Sequence, residues 1–217
     1  MYNTKSPWPV GSRKRLNRRA RILASALDLF SLNGYSRTTL TDVASRLGMT
    51  KGAVYWHFTS KEALLMALVD EMQEKFSRQL DRLMPKDELT FTAVADMMTR
   101  NAGEILEDAK GRAFFLLLNE QVQWSSASME KIRTELLQDE RCGPWHAFKH
   151  AVANDIRAGR VRAGVNPDRV AHACLALWSG LVHARIAGFM SEGLVETLGE
   201  AFACVWKSIR IAEPASA

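Results

Sequence analysis

Residues 39–64 read TLTDVASRLGMTKGAVYWHFTSKEAL, and the fold is decided there. Thr39-Leu40-Thr41-Asp42 has the form of a capping box, in which a threonine hydroxyl and a carboxylate three residues on satisfy free N–H groups at a helix start. The short helix it opens ends at Leu47-Gly48, where glycine permits a tight turn. Thr50 caps a second short helix through about His57, and Thr59 or Ser60, followed by Glu62, opens a longer one. Two short helices joined by a glycine turn describe a helix-turn-helix, whose second helix is presented to the major groove of DNA. Val43, Leu47, Val54 and Phe58 are spaced to bury an inner face and so fix the angle between the two helices. The opposite face carries Thr50, Lys51, Ala53, Tyr55, Trp56 and His57. Such a set of donors, aromatic edges and positive charge suits phosphates and base edges better than a core.

Upstream, Leu23, Leu27 and Phe30 recur at i, i+4 and i+7 with Ile22, Ala26 and Leu29 beside them, which predicts a helix over 13–32 stopped at Asn33-Gly34. Residues 1–12 carry Pro7, Trp8, Pro9 and Gly11 without periodicity and read as a flexible arm. Downstream, Leu65, Leu68, Met72, Phe76 and Leu83 make the apolar stripe of a connecting helix over 59–84 that stops before Pro85. Further helices are expected over 89–108, 112–125, 129–159, 167–189 and 194–211, with a kink at Gly143-Pro144. No stretch of alternating β-branched residues competes, so the expected class is all-α. Four parts follow: an arm over 1–12, a three-helix helix-turn-helix domain over 13–58, the connecting helix over 59–84, and a C-terminal helical bundle over 85–217.

Charge is unevenly spread. Through residue 61, eleven basic side chains face two acidic ones, so that segment carries +9 of a net +5 and the remainder carries −4. An anionic polymer is thereby expected to meet the first part alone. Arg13, Lys14, Arg15, Arg18, Arg19 and Arg21 crowd the start of the first helix, where they suit phosphate or minor-groove contact. The three cysteines, Cys142, Cys174 and Cys204, are odd in number and widely spaced, and no apolar segment near the start has the form of a signal peptide; a reducing cytoplasm is the expected setting. Residues 170–189 are the most apolar stretch, but His172, His183 and Arg185 within it argue for a buried or interfacial helix rather than a membrane span.

No nucleotide loop, paired-carboxylate constellation or nucleophile motif is present, so catalysis and cofactors are not expected. Cys142, His146 and His150 sit at i, i+4 and i+8, and eight residues span roughly 12 Å of helix rise, too far for one ion to reach all three. No metal site is expected either. A redox-sensitive thiol is the alternative use of the cysteines.

The run Leu47-Gly48-Met49-Thr50-Lys51-Gly52-Ala53-Val54-Tyr55-Trp56-His57-Phe58, followed by Lys61-Glu62-Ala63-Leu64, resembles the TetR-family signature, and the likeness extends over about residues 13–66. Within that family the run looks most like that of multidrug-efflux repressors. The resemblance implies that Tyr55, His57 and Lys61 clamp phosphates and that Thr50, Lys51, Gly52 and Ala53 approach bases or backbone; Thr39, Thr41 and Trp56 complete the expected DNA-facing set. It also implies a homodimer on a palindromic operator in double-stranded DNA, released by a small-molecule effector bound in the C-terminal domain, with no membrane partner. The alternative is a regulator of the same fold that answers to oxidation or to a protein partner. For the effector, an apolar pocket with sparse polar groups is expected from Met98, Phe114, Leu118, Gln121, Trp145, Phe148 and Trp178. For the dimer, the apolar stripes of the last two helices nominate Leu175, Trp178, Val182, Leu198, Phe202 and Val205.

Overall fold

A computed structural model describes residues 10–138 and 143–211. Its helices are α1 (Val10–Asn33), α2 (Leu40–Arg46), α3 (Lys51–Tyr55), α4 (Lys61–Leu83), α5 (Phe91–Glu107), α6 (Ala109–Leu116), α7 (Ala127–Gln138), α8 (Pro144–Arg157), α9 (Pro167–Ile186) and α10 (Leu194–Ile209). The all-α expectation holds: among the described residues the one β feature is an isolated antiparallel bridge between Val161 and Arg210. No helix among them is long and apolar enough to cross a membrane.

Three sequence expectations need correction. The segment 129–159 is not one kinked helix. It holds α7 and, separately, α8, which begins at Pro144 with Gly143 as its N-cap. Proline lacks an N–H and its fixed φ suits the first helical position, so the Gly-Pro step starts a helix here rather than bending one. The helix expected over 112–125 runs as α6 only to Leu116 and continues as a π-helical turn, Leu117–Gln121. At the N-terminus α1 begins at Val10, inside the stretch expected to be an arm. Cys142, Lys5 and the side chains of Arg13, Lys14 and Arg15 lie outside the described residues.

The chain forms two compact units, one of residues through Asp70 with Ala113–Thr134, the other of Glu71–Arg112 with Glu135 onward. In the first, Ile22, Leu23, Phe30, Val43, Val54, Leu64, Leu65 and Leu117 are buried. In the second, α5 packs against α8, α9 and α10. An aromatic core runs through it, with Phe148 5.6 Å from Phe91 and 5.4 Å from Phe202, and Trp206 stacked on Phe91 at 5.5 Å.

The polar residues Asn154 and Asp155 sit buried at the end of α8. The Phe91 N–H, in the unsatisfied first turn of α5, donates to Asp155 Oδ2 at 2.8 Å, and Arg160 Nε donates to Asp155 Oδ1 at 2.7 Å. Asn154 Nδ2 donates to the Lys86 and Leu89 carbonyls at 3.0 and 2.9 Å, tying down the loop that leads into α5. A carboxylate at a helix N-terminus is favoured by the dipole as well as by the hydrogen bond. Asp155→Ala should therefore cost about 3 kcal/mol, because it strands the buried Phe91 N–H. Arg160→Ala should cost less, because the Asp155 carboxylate keeps the Phe91 N–H and loses only the cation beside it. Urea denaturation of both variants measures the difference, and equal losses would contradict this assignment.

Candidate nucleic-acid interface

The helix-turn-helix is assembled from local signals. Thr39 caps α2: its Oγ1 accepts from the Asp42 N–H at 3.2 Å, and its own N–H donates to Asp42 Oδ2 at 2.8 Å. The Thr39 hydroxyl also donates to that carboxylate at 2.7 Å. These hydrogen bonds, side chain first and backbone second, hold the Asp42 carboxyl below its ordinary range. The stabilisation they give α2 is thus present above the unfolded pKa and is lost as pH falls through the lowered value. Gly48 takes φ +62°, the left-handed conformation that turns the chain from α2 into α3. Thr50 then caps α3, its hydroxyl accepting from the Ala53 N–H at 3.3 Å.

The two faces separate as the sequence reading expects. Val43 and Val54 are fully buried and Phe58 nearly so, with Leu47 half-buried. Thr39, Thr41, Thr50, Lys51, Gly52, Tyr55 and Trp56 are exposed, and Ala53 and His57 are half-buried. Trp56 is 66% exposed, far too open for a core residue of this size, and its ring meets His57 edge-on at 4.8 Å. Lys51 Nζ lies 5.4 Å from the centre of the Tyr55 ring. A Cβ built on Gly52 would meet no atom within 4 Å, so packing inside the chain does not demand glycine there. Behind this face, Arg46 pairs with Asp28 of α1 at 3.5 Å and the Arg19 guanidinium lies 5.5 Å from the centre of the Phe58 ring.

Lys61 stands differently from its expected role as a phosphate clamp. Its ammonium donates to the carbonyls of Tyr35 and Ser36 at 2.8 and 3.0 Å, and it sits 4.5 Å from the centre of the Tyr35 ring. Two of its three N–H groups thus hold the turn between α1 and α2, leaving one for an outside acceptor. Tyr35 is buried, burial raises its phenol well above the ordinary value, and the Glu62 carboxylate adds to the shift. From the other side, the Tyr35 N–H donates to Gln121 Oε1 at 3.2 Å. A partner 86 residues away leaves no spacing signal, and for that reason sequence reading missed it.

The seven residues expected around an effector do not gather within either unit. Phe114, Leu118 and Gln121 belong to the first; Met98, Trp145, Phe148 and Trp178 belong to the second. Phe148 and Met98 are core, and Trp178 Nε1 donates to the Met98 carbonyl at 2.9 Å, fixing α9 to α5. Trp145 lies over the surface pair formed by Lys149 and Asp168, 4.8 Å from the Lys149 ammonium. The second unit holds a cleft of about 200 Å³ lined by Gln79, Arg82, Leu83, Met97, Arg100, Asn101 and Glu104, a set that includes none of the seven.

The six residues expected at the dimer interface divide by burial within the chain. Val182, Leu198 and Phe202 are buried in the chain's own core, while Leu175, Trp178 and Val205 are half-buried. The stripe read as an interface is the face that α9 and α10 turn inward. Their outward faces mix small and aliphatic residues, Ala173, Ala176, Leu177 and Gly180 on α9 and Val195, Gly199, Ala203 and Cys204 on α10, with the exposed polar residues Arg169 and His172 on α9 and Glu196, Glu200 and Lys207 on α10. Cys174 is buried and its thiol is pushed up to about 12 by desolvation, which disfavours the reactive thiolate. No cluster of three or more metal-ligating side chains occurs among the described residues.

Known proteins resemble the chain in both regions. The family model described as bacterial regulatory proteins, tetR family, matches residues 22–68. The probable HTH-type transcriptional regulator ArpR of Pseudomonas putida is 30% identical over 165 residues, covering 76% of this chain and 78% of its own length. The HTH-type transcriptional regulator TtgR, also of Pseudomonas putida, is 29% identical over the same shares. Among solved structures, SmeT, described as the repressor of the Stenotrophomonas maltophilia multidrug efflux pump SmeDEF, matches with TM-score 0.69 at 23% identity over 91% of this chain and 94% of its own. Its complex with triclosan matches with TM-score 0.72 at 24% identity, over 91% and 95%. At these identities the structural likeness speaks for the fold alone. The capped helix-turn-helix with its exposed polar and aromatic face, the family match across it, and a relative aligned over most of both chains lead to one assignment: the chain belongs to the TetR family of bacterial transcriptional regulators.

Proposed function

We propose that the chain is a cytoplasmic, ligand-responsive transcriptional repressor that binds a palindromic operator as a homodimer and is released by a small apolar or amphipathic effector. The observation that carries this reading is the outward face of α3. Thr50, Lys51, Gly52, Tyr55 and Trp56 are exposed there together, on a helix whose inner side, Val54, is fully buried, in the segment that bears +9 of charge. Such a face fits phosphate and base edges. Relatives named as regulators, and a structural neighbour that represses an efflux pump and binds triclosan, support an efflux gene as target and an apolar effector.

Lys51 is the base-reading candidate on this face, and Lys61 offers phosphate its remaining N–H. Binding is measured by fluorescence anisotropy on a duplex from the chain's own upstream region across a salt series. Lys51→Ala should change sequence preference by about 1–3 kcal/mol. Lys61→Ala should weaken all duplexes alike and lower the salt slope by about 1 per subunit. Failure of the wild-type chain to prefer that duplex over a scrambled one counts against this operator. A charged or non-specific surface would show no preference among duplexes selected in vitro.

Dimerisation is assigned to the small-residue outward faces of α9 and α10, where a symmetry mate's helices could approach closely. Ala203→Glu should yield folded monomers in sedimentation velocity and lose operator affinity, since each half-site loses its tethered neighbour. Phe202→Glu, at a position 2% exposed, should instead unfold the chain. A dimeric Ala203→Glu protein would move the interface elsewhere.

Release follows from linkage. α4 is one unbroken helix whose residues belong to both units, so an effector that favours one arrangement of the second unit can change the presentation of α3. Half-sites lie about 34–36 Å apart, and a shift of a few ångströms is enough to prevent simultaneous docking. Operator must then weaken effector binding by the same factor as effector weakens operator binding. Calorimetric titration of triclosan with and without the duplex tests one such compound; equal affinities would rule it out as an inducer.

A further inference from the structure

The π-helical turn Leu117–Gln121 is held by two side-chain contacts. In an α-helix the Val122 N–H would bond the Leu118 carbonyl. Here it reaches back to the Leu117 carbonyl at 3.1 Å, the five-residue spacing of a π turn. The Leu118 carbonyl that this register displaces is taken by Trp124 Nε1, which donates to it at 2.7 Å. At the other end, Asn119 Nδ2 donates to the Phe115 carbonyl at 2.9 Å. The π register is therefore fastened on both sides. Its last residue, Gln121, is the one whose Oε1 accepts from the Tyr35 N–H. All these groups belong to the first unit.

The turn that receives this bond is the one that leads into α2. Lys61 holds its carbonyls at Tyr35 and Ser36, Thr38 Oγ1 donates to Gly34 O at 2.9 Å, and α2 begins two residues after Thr38. The Tyr35 N–H lies in a buried residue, so without Gln121 it would be left unsatisfied there. From this geometry we infer that Gln121 is a positioning residue for DNA binding, and that the π turn is a register switch acting through it. With the turn in π register, Gln121 secures the loop that sets α2 and hence α3. Resolving the turn into α register removes one residue's advance and rotates Gln121 about the helix axis by up to about 100°. The acceptor is thereby withdrawn from Tyr35 and the loop is released. Gln121, expected from sequence in the effector pocket, acts on the DNA-facing side instead.

The proposal rests on the DNA-binding reading for its consequence but not for its mechanism, and two measurements on the full chain separate them. Amide hydrogen exchange at Tyr35 reads the bond directly. Gln121→Leu should speed that exchange by about three- to tenfold, the range of one neutral hydrogen bond, while Gln121→Glu, which keeps an acceptor, should restore protection. Trp124→Phe keeps an aromatic ring but frees the Leu118 carbonyl, and should speed Tyr35 exchange as well. Combined with Gln121→Leu it should add little, because both act through one bond. Anisotropy with a duplex selected in vitro against the wild-type chain reads the consequence: Gln121→Leu and Trp124→Phe should weaken binding by a similar factor, with Gln121→Glu near wild type and all three folded by circular dichroism. Unchanged Tyr35 exchange in Gln121→Leu, additive effects of the two variants, or wild-type DNA affinity despite faster exchange would each overturn the proposal. A wild-type chain that selects no duplex would fail the DNA-binding reading while the exchange arm still decides the switch.

Discussion

The turn at residues 33–38 has to present α2 at a fixed angle, yet few of its backbone groups find backbone partners: the Gly34 N–H bonds the Phe30 carbonyl at 2.9 Å and the Thr38 N–H the Tyr35 carbonyl at 3.4 Å. Four side chains serve the others, among them Arg37, whose Nε donates to the Asn33 carbonyl at 2.7 Å. The Lys61 ammonium takes two carbonyls, Gln121 takes the Tyr35 N–H, and Thr38 Oγ1 contacts the Leu29 and Gly34 carbonyls at 3.2 and 2.9 Å. A charged donor to two carbonyls is worth more than a neutral one, and the Tyr35 ring near the ammonium adds an electrostatic contact of its own. The aromatic side chain serves twice, packing its ring 5.1 Å from that of Phe30 and lying beneath the ammonium. Burial of its hydroxyl, which has no partner among the described residues, is a cost that the rest of this arrangement offsets.

What could be read directly from sequence was local. The capping box at Thr39 and Asp42, the cap at Thr50 and the left-handed turn at Gly48 each depend on residues within three or four positions of one another, and each stands where spacing puts it. The exposed face of α3 was equally legible, since a single buried position, Val54, fixes the orientation of a helix this short. Long-range partners were not. Nothing near Gln121 marks it as the acceptor for Tyr35, and nothing near Asp155 marks it as the acceptor for the first N–H of a helix that begins 64 residues earlier. Lys61 was legible as a charge at a helix start but not as a donor to carbonyls 25 and 26 residues upstream.

The C-terminal helices are harder to read for one reason. An apolar stripe reports that a helix buries a face, not what it buries it against. Leu198 and Phe202 mark a strongly amphipathic α10, and that amphipathicity is consumed inside the chain, where Phe202 meets Phe148 and Phe148 meets Phe91. Aromatic abundance is ambiguous in the same way: Phe148 is buried in this ring cluster, and Trp178 is half-buried with its Nε1 bonded to the Met98 carbonyl.

A surface meant for a second copy of a helix is better recognised by small side chains at helical spacing than by an apolar stripe. On α9 and α10 the exposed positions Ala173, Ala176, Gly180, Gly199 and Ala203 recur at three- and four-residue steps, with the exposed charged residues Arg169, Glu196, Glu200 and Lys207 beside them. Small side chains allow two helix backbones to approach closely, so dispersion contacts accumulate over the length of the helices rather than at a few large anchors. Leu177 and Val195, exposed beside them, provide apolar area for burial. The core stripe and the small-residue stripe thus divide α10 between two tasks. The inward aromatic residues hold it to α5 with a fixed rotation, and that fixed rotation is what makes the outward small residues a defined surface.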